Sequence, residues 1–166
     1  MKPRNRAVLA VVLLCAFAAP GRGGDSEVAW KGWDAGLRQA RQLKRPVLVD
    51  VYTQWCGWCK RMDRDVYARP EVRDYLNRRF VTIKLDAEAS EPASYDGRAF
   101  TSRSLAAHFR VTGYPTTLFL RSDGEHLVNV PGYVPADKFL LVLRYVGGGY
   151  MDRGVPWEDF KARQAR

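Results

Sequence analysis

A short apolar run that leads directly into two closely spaced cysteines constrains this chain more than any other stretch. Residues 47–51 are three valines, a leucine and one aspartate, a pattern that predicts a strand buried on both faces. The segment Trp55-Cys56-Gly57-Trp58-Cys59-Lys60 follows, and a helical pattern begins there. Thiols three residues apart at a helix start lie close enough to form a disulfide, and the helix N-terminus favours a thiolate at Cys56. The stretch therefore predicts thiol–disulfide exchange.

The cysteine pair admits three chemical interpretations. An inert structural disulfide is unattractive, because a ring closed between residues three apart removes little entropy from the unfolded chain. Half of a zinc site is unattractive too, because there is no second Cys-x-x-Cys and His108 and His126 form no convincing ligand pair. A redox-active disulfide that needs no metal or other cofactor is favoured, with Cys56 as the nucleophile and Cys59 as the resolving thiol.

The N-terminal residues have the plan of a secretory signal peptide. Three basic residues precede the apolar run 7–19, and Ala16-Phe17-Ala18 offers a cleavage site between small residues. The run is too short to span a membrane. We therefore predict a cleaved signal peptide over 1–18, a flexible segment over 19–29 and a periplasmic protein.

The alternatives to this leader are a first buried helix and a lipoprotein anchored through Cys15. Lipoprotein processing is disfavoured because Leu14, directly before that cysteine, is not a small residue. Cleavage after position 18 would remove Cys15 and three positive charges, changing the net charge from +9 to +9 − 3 = +6. The remaining charge is spread along the chain without a basic block, so nucleic acid is not an expected partner.

The length of 166 residues and the content of 46% hydrophobic and 27% charged residues indicate one globular domain. On the helix after the cysteines, Met62 and Val66 share the apolar stripe of Cys59, whereas Asp63 is expected to face water. The predicted elements are a helix over 33–44, strands over 47–51 and 80–86, the cysteine helix broken near Pro70, a polar loop over 87–101, a short helix around Leu105 and Phe109, a hairpin of strands 116–121 and 125–130, and a last helix from Pro135. This order predicts an α/β fold with a mixed central sheet and helices on both faces.

The chain resembles the thioredoxin superfamily, especially exported bacterial thioredoxin-like oxidoreductases with a WCxWCK site. The resemblance rests on residues 55–60 and on the downstream segment Gly113-Tyr114-Pro115-Thr116. It covers about residues 30–146 and implies a thioredoxin-like fold. We accordingly assign a thioredoxin-like domain to 30–147 and a C-terminal tail to 148–166, whose aromatic residues can pack on the domain.

The resemblance also implies roles for individual residues. Asp50 matches the buried acid behind the cysteines and Lys84 the lysine that pairs with it, so both join Cys56 and Cys59 as catalytic candidates. A surface Asp–Lys ion pair is the alternative. The implied substrate-binding residues are Trp55, Gly57, Trp58, Tyr114, Pro115 and Gly132.

Among the implied substrate-binding residues, the resemblance implies that Pro115 is cis and that the backbone of Tyr114 pairs with an extended substrate. The alternatives are an ordinary trans proline and, for Trp55 and Trp58, burial within the helix start. Trp58 stands where thioredoxins have proline, Tyr52 stands where they have tryptophan, and the loop 87–101 is longer. These departures bear on redox potential and partner choice more than on the fold.

The resulting hypothesis is a monomeric periplasmic reductase of protein disulfides, with a membrane thiol transporter as a candidate electron donor. Because ~30 mV between two-electron couples is worth about 1.4 kcal/mol, small changes beside the cysteines can reverse the direction of electron flow. A disulfide oxidase or isomerase, and a non-catalytic binding module or chaperone, are the alternatives.

Overall fold

The computed structural model describes residues 27–165. The predicted signal peptide 1–18 and most of the predicted flexible segment 19–29 lie outside these residues. The helices are α1 (Trp33–Leu43), α2 (Gly57–Met62), α3 (Pro70–Arg79), α4 (Ser102–His108), α5 (Ala136–Gly147) and α6 (Trp157–Gln164), with a π-helical segment (Asp63–Tyr67) between α2 and α3. The strands are β1 (Val47–Tyr52), β2 (Val81–Asp86), β3 (Pro92–Tyr95), β4 (Arg98–Thr101), β5 (Thr116–Leu120) and β6 (His126–Pro131).

The central sheet has the strand order β2-β1-β5-β6. Strand β1 pairs with β2 in parallel and with β5 antiparallel, and β5 continues to β6 antiparallel. The parallel pair is joined through the cysteine helix and α3, as a parallel connection requires. The predicted α/β fold, a mixed sheet with helices on both faces, is confirmed.

Alternation along β1 divides the core into two layers and decides where the acid lies. Val47, Val49 and Val51 pack in the layer that contains α1 and α4. Leu48 packs in the opposite layer, with the π-helical segment, α3 and α5. Successive side chains of a strand point to opposite faces, so Asp50 faces the same layer as Leu48, under the cysteine helix.

The prediction of a polar loop over 87–101 is wrong, because most of this segment forms a second, two-stranded antiparallel sheet of β3 and β4. Asp96 and Gly97 both have positive φ, 49° and 70°, which suits a two-residue hairpin turn. The hairpin is fixed to α1, since Trp33 Nε1 donates to the carbonyl of Ser94 at 3.0 Å and Asp34 accepts the Ser94 N–H at 2.9 Å.

Residues 27–31, here called the N-terminal strap, are docked on the edge of β2. Lys31 N–H donates to Thr82 O, and Lys84 N–H donates to Lys31 O, both at 3.0 Å. Ala29 N–H donates to the Asn77 side chain at 3.1 Å. Residues 27–29, the last part of the predicted flexible segment, are held by both backbone and side-chain hydrogen bonds.

The C-terminal tail packs through an aromatic cluster. Phe160 of α6 is 1% exposed, and its ring lies 5.2 Å from that of Tyr145 and 4.7 Å from that of Tyr150. Tyr145 belongs to α5, so this cluster joins the tail to the last helix of the domain.

Among residues 27–165, no helix is both long and apolar enough to cross a membrane.

Candidate active site

The two cysteines form a disulfide at the start of α2. Cys56 is the N-cap residue and Cys59 lies in the first turn, with an S–S distance of 2.19 Å and a Cα–Cα distance of 5.3 Å. Both residues are almost fully buried, at 4% and 3% exposure. The Cys59 N–H donates to Cys56 Sγ at 3.0 Å, so the helix directs a backbone donor at this sulfur. That donor stabilises negative charge on Cys56 and favours it as the nucleophile.

Asp50 is the centre of a buried polar network. The residue is 1% exposed; its carboxylate lies 3.2 Å from Lys84 Nζ and accepts the hydroxyl hydrogen bond of Tyr67, also at 3.2 Å. Lys84 also donates to Asp63 at 2.5 Å. Asp50 and Lys84 are direct neighbours in the parallel register of β1 and β2. The alternative of a surface ion pair is therefore wrong for Asp50, although Asp63 reaches partly into solvent, with a side chain that is 45% exposed.

Burial dominates the electrostatics of this network. It raises the pKa of Asp50 to about 6, against the attraction of Lys84 and with a smaller upward contribution from Asp63. Burial acts to lower the pKa of Lys84, but the attraction of Asp50 and Asp63 raises it above its ordinary value. Burial, reinforced by Asp50, also raises the pKa of Tyr67 well above its usual range. Asp50 is thus an acid that can change its protonation state near neutral pH.

Sequence reasoning missed Asp63 and Tyr67 as members of this network. A regular helical pattern assigns Asp63 to the water-facing side, yet it contacts Lys84. The chain changes there from α- to π-helical winding, with Ala68 N–H bonded to Asp63 O five residues earlier. The only available signal was the combination of an acid and a tyrosine shortly after the cysteines.

Trp55 and Trp58 each directly precede a cysteine of the disulfide, and both side chains are exposed, so the alternative that they are buried is wrong. Trp55 is 67% exposed; its ring meets Tyr114 edge-on at 6.1 Å, and its Nε1 donates to Glu88 at 3.0 Å. Trp58 is 54% exposed and lies 5.5 Å from the ring of Tyr133. We call Trp55, Trp58, Tyr114 and Tyr133 the aromatic rim.

The guanidinium of Arg61 lies over Trp58 and Tyr133, 5.2 and 5.4 Å from their ring centroids. Glu88, from the segment predicted as a loop, sits at the Trp55 side. The aromatic rim therefore has a cation at one side and a carboxylate at the other. Neither Arg61 nor Glu88 was a sequence-predicted site residue.

Of the other predicted substrate-binding residues, Tyr114, Pro115 and Gly132 lie outside the named helices and strands, whereas Gly57 is the first residue of α2. The Tyr114–Pro115 peptide bond is cis. Gly132 N–H donates to Pro115 O at 2.8 Å, and Gly132 has a φ of 82°, a conformation that favours glycine. No atom lies within 4 Å of where a Cβ would stand on Gly57 or Gly132, so both positions border open space.

One buried hydroxyl close to the cysteines lacks a partner. Thr53 is 1% exposed, and in the part of the chain from 27 to 165 its Oγ1 is the one buried side-chain polar atom without a hydrogen bond. The Thr53 carbonyl accepts the N–H of Cys56 at 3.2 Å, so the residue forms part of the turn into α2.

Within residues 27–165, no group of three or more histidine, cysteine or acidic side chains could hold a metal ion. The two histidines make other contacts. His126 Nε2 lies 2.6 Å from Asn129 Oδ1, and His108 packs on Tyr95 and Phe100.

Comparison with known proteins points to the same chemistry. Residues 33–147 match the family described as thioredoxin-like domain. The thiol:disulfide interchange protein DsbD of Tatumella citrea is 30% identical over 138 residues, which are 78% of this chain and 22% of that protein. The chain thus spans about a fifth of the length of the curated relatives that it matches.

Solved structures with similar folds include a thioredoxin from Thermus thermophilus, with a TM-score of 0.60, 28% identity, and coverage of 74% of this chain and 92% of that one. The reduced C-terminal domain of DsbD from Neisseria meningitidis has a TM-score of 0.51 at 28% identity, covering 67% of this chain and 90% of that domain.

The chain belongs to the thioredoxin-like family. This membership and the Cys56–Cys59 disulfide together support a thioredoxin-superfamily thiol:disulfide oxidoreductase.

Proposed function

We propose that this protein reduces protein disulfides in the periplasm through the Cys56–Cys59 pair and receives its electrons from a membrane thiol transporter. The observation that carries the chemistry is the disulfide at the α2 N-cap. An exposed tryptophan directly precedes each of its cysteines, and the strand that holds the buried acid leads into it. The signal-peptide pattern of 1–18 supports export, and the DsbD relatives support a partner in the bacterial envelope.

The reaction proceeds in two exchanges that balance electrons. The Cys56 thiolate attacks one sulfur of a substrate disulfide, which forms a mixed disulfide and releases the other substrate sulfur as a thiolate. The Cys59 thiolate then attacks Cys56 Sγ, which releases the second substrate thiolate and closes the Cys56–Cys59 disulfide. Two electrons pass to the substrate, and the transporter returns them by the reverse exchange.

Asp50 is assigned to the second exchange, because Cys59 must lose its proton before it can attack. An acid that titrates near pH 6 is a usable base for a thiol at neutral pH, and it lies on the strand that leads to the cysteines. Lys84 limits how far burial raises the pKa of Asp50 and so keeps the carboxylate available near neutral pH. Cys56 and Cys59 are the reacting groups in this scheme, with Asp50 as proton acceptor and Lys84 as its positioning residue.

The substrate docks on the aromatic rim. Trp55 and Trp58 offer exposed apolar surface, and the segment around Tyr114–Pro115 offers backbone for an extended polypeptide, a short case of strand addition. Gly57 and Gly132 leave room for the substrate main chain because no atom occupies the space of a Cβ. The protein acts on other proteins and is proposed to work as a monomer.

Cysteine variants test the order of attack. Cys59→Ser should accumulate a mixed disulfide with substrate, because the first exchange still occurs and the second cannot. Cys56→Ser is the matched control and should trap nothing by this route. Equal trapping by both variants would contradict the assignment of Cys56, and undiminished function of Cys56→Ala would favour the binding module or chaperone.

Thiol trapping in the native compartment tests the direction of electron flow. A reductase should be found largely as the dithiol, and deletion of the membrane transporter should convert it to the disulfide. A protein found largely as the disulfide with the transporter present would favour the oxidase or isomerase instead.

A further inference from the structure

A cavity of about 360 Å³ lies beside the acid network. The N-terminal strap contributes Glu27 and Trp30 to its walls, the π-helical segment contributes Asp63 and Tyr67, and β2 contributes Lys84. Three of these side chains, those of Lys84, Asp63 and Tyr67, are the ones that bond to Asp50 or to its lysine partner. The cavity therefore lies next to the carboxylate's own partners.

Trp30 contacts two members of the network. Lys84 Nζ lies 5.1 Å from the centroid of the Trp30 ring, within the range of a cation–π interaction. The Tyr67 ring meets the indole edge-on at 5.0 Å, with planes at 78°. Both contacted side chains bond directly to Asp50.

Backbone hydrogen bonds fix the indole at this place. On one side of Trp30, the Ala29 N–H is bonded to the Asn77 side chain. On the other, Lys31 is bonded to β2 through both its N–H and its carbonyl. The strap precedes residues 33–147, which match the thioredoxin-like family, so Trp30 reaches the network from outside that match.

We propose that Trp30 is a positioning residue for the acid network, and that the cavity which it lines is the route by which Asp50 exchanges its proton with solvent. This inference rests on the proposed role of Asp50 as the proton acceptor of Cys59. A route on this side of the network matters because a docked substrate covers the aromatic rim during the second exchange. Asp63 and Glu27 place two carboxylates in the wall of this cavity.

The titratable groups around Asp50 decide whether a change at Trp30 raises or lowers the pKa of Asp50. Lys84 faces it from β2, Asp63 and Tyr67 face it from the π-helical segment, and Tyr52 on β1 is coupled to it electrostatically. Removal of the indole admits water and also loosens Lys84, two changes with opposite effects on Asp50. Because burial is the larger influence, the admitted water wins, and Trp30→Ala should lower the pKa of Asp50.

The test is a direct titration of the Asp50 carboxyl by carbon NMR in the oxidised full-length protein, with Asp50→Asn identifying the signal. Trp30→Ala should move the midpoint down by about one pH unit. Trp30→Phe keeps a ring over Lys84 and should move it less. Trp157→Ala is the matched control, because it removes a partly buried indole in α6 that packs on Tyr145, and it should leave the midpoint in place.

A midpoint that stays in place or rises in folded Trp30→Ala overturns the inference. If that variant fails to fold, Trp30→Phe decides alone, and an unchanged midpoint there is the refuting result. The proposed role of Asp50 is tested separately by the rate at which the mixed disulfide is resolved. A normal rate in Asp50→Asn would remove Asp50 from the mechanism even if Trp30 controls its titration.

Discussion

Replacement of Asp50 by asparagine tests the acid network through protein stability as well as through turnover. Burial raises the pKa of this carboxyl from 3.8 to about 6 in the folded protein. A difference of roughly two units, at ~1.36 kcal/mol per unit, corresponds to about 3 kcal/mol of free energy of unfolding.

Whether stability rises or falls with pH depends on whether Asp50 ionises first in the folded or in the unfolded protein. Below pH 3.8 the carboxyl is protonated in both the folded and the unfolded protein, and its full contribution to stability is present. As the pH rises towards 6, the unfolded chain ionises first and is stabilised, so the folded protein loses stability. Relative to Asp50→Asn, the wild type should therefore lose about 3 kcal/mol across this window and change little above it.

The measurement is denaturant unfolding of the oxidised protein from pH 3 to 8, followed by tryptophan fluorescence, for wild type and variant. Subtraction of the two curves removes the pH dependence that both proteins share, which comes from their other titrating groups. Asp65→Asn is the control: the hydrogen bond and charge of Arg64 lower the pKa of this half-buried acid, so its contribution to stability is lost as the pH falls. The free energy of unfolding of the wild type minus that of Asp50→Asn should fall between pH 4 and 6. A difference that stays flat or rises in this range would refute the reasoning.

Three further variants test packing. Thr53→Val should stabilise the protein by about 1 kcal/mol in denaturant unfolding, because it removes a buried hydroxyl without a partner; a loss of stability would show that the hydroxyl is satisfied. Gly36→Ala should cost roughly 1–3 kcal/mol by the same assay, because its Cβ would stand 2.3 Å from Ile83 Cγ1; an unchanged midpoint would contradict this packing. Phe160→Ala should cost about 3–5 kcal/mol, whereas a neutral effect would show that the tail 148–165 is dispensable to the fold.

The parts of the fold that depend on side-chain periodicity could be predicted from the sequence. The apolar run 47–51 predicted a doubly buried strand, and alternation along it places Asp50 under the cysteine helix. The hairpin within 87–101 was missed although Asp96-Gly97 is a turn signal, because the short strands on either side carry mostly exposed residues.

The rest of the candidate site depends on geometry that a sequence pattern does not carry. Asp63 joins Lys84 only because the winding of the helix changes, and helical periodicity assumes constant winding. Trp30 contacts Lys84 only because the strap pairs with β2, and a single residue in an irregular segment has no periodicity to reveal it.

The π-helical segment between Cys59 and Pro70 decides which way the later side chains of this helix face. A π-helical turn holds one residue more than an α-helical turn, so regular α-helical winding of the same number of residues would rotate the later residues of the helix by about 100°. Tyr67 would then turn away from Asp50 while every residue that bonds or stacks in the network was still present in the sequence. A relative could therefore keep both cysteines, the acid and the lysine, and differ in the chemistry of its resolving step through helical phase alone.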